Sequence, residues 1–202
     1  MPYPDPFYPV VDSIKWVERL TKLGVGTIQL RAKELDDAGA LQIVSDALAV
    51  TKGTPTKLVG NDYWRAAIVA GAEHLHLGQE DLAEADLGEI RKAKLTLGIS
   101  THDDAELATA LAAKPDYIAL GPIFPTTLKS MRFAPQGIAK ITEWKKRIGD
   151  IPLVAIGGIK FEQAAEIFAA GADSIAVVSD VTQHADPDAR VRQWLAEQAA
   201  AA

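Results

Sequence analysis

Short apolar, β-prone runs alternate with longer stretches of helical period along the whole chain, and this alternation limits the fold more than any other feature. The runs fall at 7–11, 27–30, 57–60, 74–77, 95–99, 117–120, 152–156 and 174–178. Several are apolar on consecutive positions, as strands buried on both faces must be. Between them, 14–23 places Ile14, Val17, Leu20 and Leu23 on one helical face, and 37–51 leads to Gly53. The segment 83–93 brings Leu87 and Ile90 together, while 104–113 and 161–170 are rich in Ala, the best helix former. A last helical stretch spans 188–199. Each apolar face is narrow and suits one strip of a sheet.

Strand–helix alternation repeated eight times predicts parallel pairing through right-handed crossovers. Eight such units close most simply into a single-domain (β/α)8 TIM barrel over 1–202, because about 25 residues per unit leave no room for a second domain. An open doubly wound sheet is the runner-up, but no G-x-G-x-x-G follows the first run, which weighs against its dinucleotide-binding form.

Composition narrows the chemistry. The chain has no Cys, which excludes disulfides, zinc–thiolate sites, iron–sulfur clusters and thiol nucleophiles. Its 27 acidic against 21 basic residues give a net charge of −6, a poor match to a nucleic-acid scaffold. The first 13 residues carry acids and prolines and no Lys or Arg, so no signal peptide is expected. No apolar run approaches the roughly 20 residues that span a bilayer. A cytoplasmic protein without membrane or nucleic-acid partners is the expectation, and a homo-oligomer is admissible.

A barrel of this type carries its chemistry in the loops after the strands. After the second run, Gln29, Arg31 and Lys33 alternate onto one side. Cations at a barrel mouth suit an anion, Arg as a planar fork and Lys as a mobile charge. A rim salt bridge to Glu34 or Asp36 is the bland alternative. After the third and fourth runs stand Asn61-Asp62 and Asp81. Two hard carboxylates on adjacent strand ends suit Mg2+ with phosphate oxygens, but both also suit helix N-caps. Ser100-Thr101-His102 follows the fifth run, where a hydroxyl could cap the next helix with help from Glu106, and His102 reads as a surface residue.

The segment 121–137 contains three prolines and two glycines and reads as a long functional loop. Its hydroxyls and Lys129 fit phosphate capture. Gly157-Gly158 and Val178-Ser179 close the seventh and eighth runs. Paired glycines let backbone N–H groups approach an anion, in loops where such barrels build phosphate sites, or simply make a tight turn.

Seven stretches in order, QLRAK at 29–33, NDYWR at 61–65, HLGQEDL at 76–82, LGISTHDD at 97–104, GPIFPT with K at 121–129 and APQG at 134–137, VAIGGI at 154–159 and AVVSDVTQ at 176–183, make the chain resemble the thiamine-phosphate synthase family, proteobacterial type. The resemblance implies a transferase joining a hydroxymethylpyrimidine diphosphate to a thiazole phosphate, with Mg2+ as cofactor and phosphorylated small molecules as partners. It implies that Gln29, Arg31, Lys33, Asn61, Ser100 and Lys129 bind the pyrimidine diphosphate. Arg31, Lys33, Ser100 and Lys129 would be the catalytic set, and Asp62 and Asp81 the metal carboxylates. Thr126, Thr127, Leu128, Gly158, Val178 and Ser179 fall where the family binds thiazole phosphate. The family usually reads P-T-x-T-K in the sixth loop, where this chain has Leu128 before Lys129. Two rivals share the barrel: an isomerase resembling the thiazole tautomerase branch, and a non-catalytic thiazole-phosphate-binding regulator.

Overall fold

The computed structural model describes residues 3–126 and 133–201. Eight parallel strands close a barrel in chain order: β1 (Phe7–Val11), β2 (Thr27–Leu30), β3 (Lys57–Asn61), β4 (His74–Leu77), β5 (Thr96–Thr101), β6 (Tyr117–Leu120), β7 (Leu153–Ile156) and β8 (Ser174–Val177). Among the described residues ten α-helices lie outside them: α1 (Ile14–Lys22), α2 (Asp37–Thr51), α3 (Trp64–Ala70), α4 (Gln79–Glu84), α5 (Leu87–Lys92), α6 (Asp104–Ala112), α7 (Ile138–Ile148), α8 (Ala164–Ala169), α9 (Ser179–Thr182) and α10 (Pro187–Ala201). The barrel expectation therefore holds, and the doubly wound alternative falls because β1 pairs with β8. Among the described residues no helix is long and apolar enough to cross a membrane.

Consecutive apolar residues in the strands serve two cores. Outward residues such as Ile28, Ile118, Leu153 and Ile175 pack beneath Val17, Leu107, Ile141, Trp144 and Trp194 of the helices. Each fully buried side chain of this size contributes about 1.5–3 kcal/mol. Inward residues Tyr8, Val10, Val59, Tyr117, Ala119, Val154 and Ala176 fill the lumen. Gly98 is required there, since a Cβ at that position would overlap the Tyr117 ring.

Local chemistry shifts several expected boundaries. The segment 83–93 is not one helix: Asp86 breaks it by accepting from the backbone N–H of Gly88 (2.8 Å) and Glu89 (3.1 Å), which caps α5 afresh. The segment 161–170 opens as a 3-10 turn, Phe161–Gln163, before α8. β5 extends to Thr101, so Ser100 lies within the strand and not after it. Its neighbour Thr101 donates to the Ala119 carbonyl (2.9 Å) and accepts from Trp144 Nε1 (3.1 Å). The cap of α6 is Asp103, which accepts from Glu106 N (2.9 Å), so neither Ser100 nor Thr101 serves as that cap. Crossovers α3, α7 and α9 are helical as well, although the sequence pattern above does not mark them.

The N-terminal segment closes the barrel floor. Asp5, only 3% exposed, accepts from Thr27 Oγ1 (2.7 Å) and has Lys57 Nζ at 3.5 Å. Its backbone carbonyl accepts from Ser174 Oγ (2.7 Å). This end reads as stability, leaving chemistry to the opposite face.

Candidate active site

The C-terminal ends of the strands surround a pocket of about 320 Å³, within the range of small-molecule sites. Tyr8, Val10, Val154 and Ala176 belong to its lining and to the lumen core. Gln29, Arg31, Asn61, His76 and Ser100 also line it, as do Thr126, Gly158, Val178 and Ser179. A second pocket adjoins it, sharing Arg31, Asn61, His76 and Ser100 and adding Lys33, Asp62 and Asp81. Gln29, Arg31, Lys33, Asn61, Asp62, Asp81, Ser100, Thr126, Gly158, Val178 and Ser179 are thus brought to one mouth. Thr127, Leu128 and Lys129 lie outside the described residues.

Arg31 follows β2 directly, and its backbone N–H still bonds the Val11 carbonyl (2.7 Å), which fixes where the guanidinium starts. The rim pairing expected for Lys33 is different in the structure. Its ammonium lies 3.5 Å from Asp62 Oδ2, not on Glu34 or Asp36. Asp36 instead caps α2 through Gly39 N (2.8 Å).

Asp62 is held by an uncommon backbone. Its φ is 65°, a left-handed conformation that few residues other than Gly, Asn and Asp adopt readily. Its N–H donates to the His76 carbonyl (3.0 Å), tying it to β4. The N-cap alternative fails for both acids. Tyr63, not Asp62, precedes α3, and no side chain caps that helix. Asp81 sits inside the first turn of α4.

The two carboxyl groups line the same pocket, close enough to act on each other's charge. Burial pushes Asp81 above the usual carboxylate range, the Asp62 charge pushes the same way, and Lys33 opposes them. Two carboxyls placed side by side form a donor set that suits a divalent cation. Among the described residues no third acid, His or Cys joins them. The protein therefore offers two carboxylates, which is the donor number Mg2+ takes when phosphate and water complete its shell. Nearby, Asn61 Nδ2 is buried without a partner among the described residues, a donor open to a ligand.

Behind the charged rim lies a buried polar chain. Gln29 Nε2 donates to Tyr8 Oη (2.9 Å), and Tyr8 Oη meets Tyr117 Oη (2.8 Å). Tyr117 Oη meets His76 Nδ1 (2.9 Å), and His76 Nε2 meets Ser100 Oγ (2.8 Å). Burial, then the Arg31 charge, lower the His76 pKa to about 4, so its ring is neutral at pH 7. Burial raises the pKa of both tyrosines, so both keep their hydrogens. Sequence reasoning missed Tyr8, His76 and Tyr117. The period of two that put Gln29 inside applies equally to the strands FYPVV and HLHL, and would have found the first two.

His102 is ordered, with Nδ1 2.6 Å from Glu106 Oε2 and its ring stacked on Phe133 at 4.8 Å. It lines both pockets and is not the plain surface residue the sequence suggests. On the far wall, Gly157 and Gly158 both take positive φ (98° and 68°). A Cβ at Gly158 would strike the Pro125 carbonyl oxygen and lie 2.7 Å from that of Phe124. Close approach of the sixth loop thus accounts for Gly158, whose backbone also faces the pocket. Ser179 opens α9, where backbone N–H groups lack partners within the helix.

Known proteins resemble the chain over nearly its whole length. The family model for thiamine monophosphate synthase matches residues 7–181. Thiamine-phosphate synthase of Rhizobium etli is 54% identical over 192 residues, covering 95% of this chain and 94% of its own. That of Salmonella schwarzengrund is 52% identical, covering 93% and 89%. Among solved structures, thiamine phosphate pyrophosphorylase from Pyrococcus furiosus superposes with a TM-score of 0.80 at 25% identity, covering 96% and 95%. A 3-hexulose-6-phosphate synthase at 14% identity (TM-score 0.69; 95% and 98% covered) shares the fold alone. These names favour neither the isomerase nor the regulator alternative. The chain belongs to the thiamine monophosphate synthase family.

Proposed function

We propose that the protein condenses 4-amino-2-methyl-5-(diphosphooxymethyl)pyrimidine with 4-methyl-5-(2-phosphooxyethyl)thiazole, giving thiamine phosphate and pyrophosphate in a Mg2+-dependent reaction. The observation that carries this reading is that Asp62, Asp81 and Lys33 line one pocket with Arg31, with Lys33 3.5 Å from Asp62. Asp62 and Asp81 would hold Mg2+, which when bound neutralises charge on the departing diphosphate.

The chain's own groups do the rest. Arg31 and Lys33 bind the diphosphate and stabilise the charge that grows on it as the carbon–oxygen bond breaks. Ser100 and Lys129 contact the same group. Gln29 and Asn61 orient the pyrimidine. The lumen residues Tyr8, Val10, Val154 and Ala176 keep water from the pyrimidine methylene cation until the thiazole nitrogen forms the new carbon–nitrogen bond. Thr126, Thr127, Leu128, Gly158, Val178 and Ser179 hold the thiazole phosphate. No general base is needed, because the thiazole nitrogen attacks with its own lone pair. In this reading the chain works as one domain, 1–202, in the cytoplasm, on phosphorylated small molecules.

The test is direct. Purified protein, both phosphorylated substrates and Mg2+ should yield equal amounts of thiamine phosphate and pyrophosphate. A folded sample that forms neither would reject the proposal, and turnover of a thiazole phosphate tautomer without Mg2+ would favour the isomerase.

A further inference from the structure

We infer that Tyr8, Tyr117 and His76 are positioning residues, forming a one-way hydrogen-bond relay from the Gln29 amide that turns the Ser100 hydroxyl proton toward a bound diphosphate. The inference rests on the functional reading above for the identity of that anion. Four contacts of 2.8–2.9 Å join the five side chains without a gap. Tyr8 is 1% exposed, Tyr117 0% and His76 6%, so water is kept from the inner hydroxyls and the direction is set by the groups themselves.

Donor arithmetic permits one continuous direction. The Gln29 amide nitrogen can only donate, so Tyr8 Oη accepts from it, and the single Tyr8 hydrogen is then available to Tyr117 Oη. Tyr117, having accepted, gives its own hydrogen to His76 Nδ1. A neutral imidazole whose Nδ1 accepts carries its proton on Nε2, and Nε2–H then donates to Ser100 Oγ. Ser100 has accepted, so its O–H is released for an acceptor in the pocket. The opposite polarity would consume the Ser100 hydrogen on His76 and present only lone pairs to an anion, which repels it. The chain thus couples the two halves of one substrate site: Gln29, a pyrimidine contact, and Ser100, a diphosphate contact. Gly98 belongs to the same device, since the absence of a Cβ there lets the Tyr117 ring lie across the lumen.

Two experiments on the full-length protein decide it. Long-range nitrogen–proton NMR of His76 should show the Nε2–H tautomer in the wild type with Mg2+ and pyrophosphate bound. An Nδ1–H tautomer there overturns the relay. Tyr117→Phe, which removes one hydroxyl and little volume, should lower kcat about tenfold with KM for the pyrimidine diphosphate nearly unchanged. In a Ser100→Ala background the same change should add less than about twofold, because the relay acts only through Ser100. Fully additive losses would overturn the proposal by making Tyr117 a packing residue. Tyr8→Phe, one link further back, should show the same non-additivity and serves if Tyr117→Phe does not fold. The tautomer is read on pyrophosphate alone, so a protein that makes no thiamine phosphate would reject the functional reading without deciding the relay.

Discussion

At the floor of the barrel, Asp5 is buried and answered on every side by Thr27, Ser174 through its carbonyl, and Lys57. At the mouth, Asp62 and Asp81 face one another with a single half-exposed Lys33 beside them. Both ends place carboxylates on or near strand ends of one sheet, yet only the mouth leaves like charges together. Asn61 Nδ2 sharpens the contrast, being a buried donor without a partner among the described residues at the open end. The floor also contains orphans, the Tyr3 hydroxyl and His74 Nδ1, but the rings that carry them are stacked on each other at 4.5 Å and the segment plugs the barrel. The difference teaches where the fold is optimised for itself and where it is held ready for a ligand.

Substitutions at the two ends should separate activity from stability. The largest effect is expected at the mouth: Asp62→Ala and Asp81→Ala should each lower kcat/KM about 100- to 1000-fold while the melting temperature changes little. Equal activity with a lower melting temperature would restore a purely structural role. Asp5→Ala should do the reverse, costing about 2–4 kcal/mol in urea denaturation and leaving kcat of the folded protein unaltered.

A third expectation concerns acid. The folded-state pKa of His76, about 4, lies below its unfolded value near 6.5, so the unfolded chain binds the extra proton between those values. Stability from this group is complete above about pH 6.5 and is lost as pH falls toward 4, by on the order of 3 kcal/mol. His76→Gln should flatten that part of the curve. An unchanged slope would show that His76 does not stay neutral in the fold.

The smallest effect has the opposite sign. Asp81 is raised in the folded state, so its charge disfavours folding at neutral pH, and that penalty disappears as pH falls through the raised value. Without Mg2+, Asp81→Asn should therefore melt higher at pH 7, by no more than about 2–4 °C. Mg2+ with pyrophosphate should stabilise the wild type and not this variant.

Much of the barrel was legible because consecutive apolar residues, as in Tyr117–Leu120 and Ser174–Val177, admit little but strands covered on both faces. The neighbouring positions of Asp62 and Asp81 followed from strand order alone. Their place in one pocket did not, because it depends on the left-handed turn at Asp62 and on α4 starting at Gln79, before Asp81. Lys33 has Glu34, Asp36 and Asp37 close by in sequence, and only the closed barrel brings Asp62 near enough to pair with it. Ser100 lies inside β5 because pairing with β6 continues through Ser100↔Ala119 and Thr101↔Leu120, a register that composition does not encode. Tyr8 and Tyr117 touch across the lumen although 109 positions apart, beyond the reach of any local pattern.

The central claim is that Asp62 and Asp81 jointly hold the metal of a metal–diphosphate beside Arg31 and Lys33. A crystal soaked with pyrophosphate and Mn2+ in place of Mg2+ tests it most directly, because the anomalous signal locates the metal. The account predicts one peak bridged by oxygens of both aspartates, with pyrophosphate against Arg31 and Lys33. A peak bound elsewhere, or pyrophosphate held at the mouth with no metal between the two carboxyls, would contradict it.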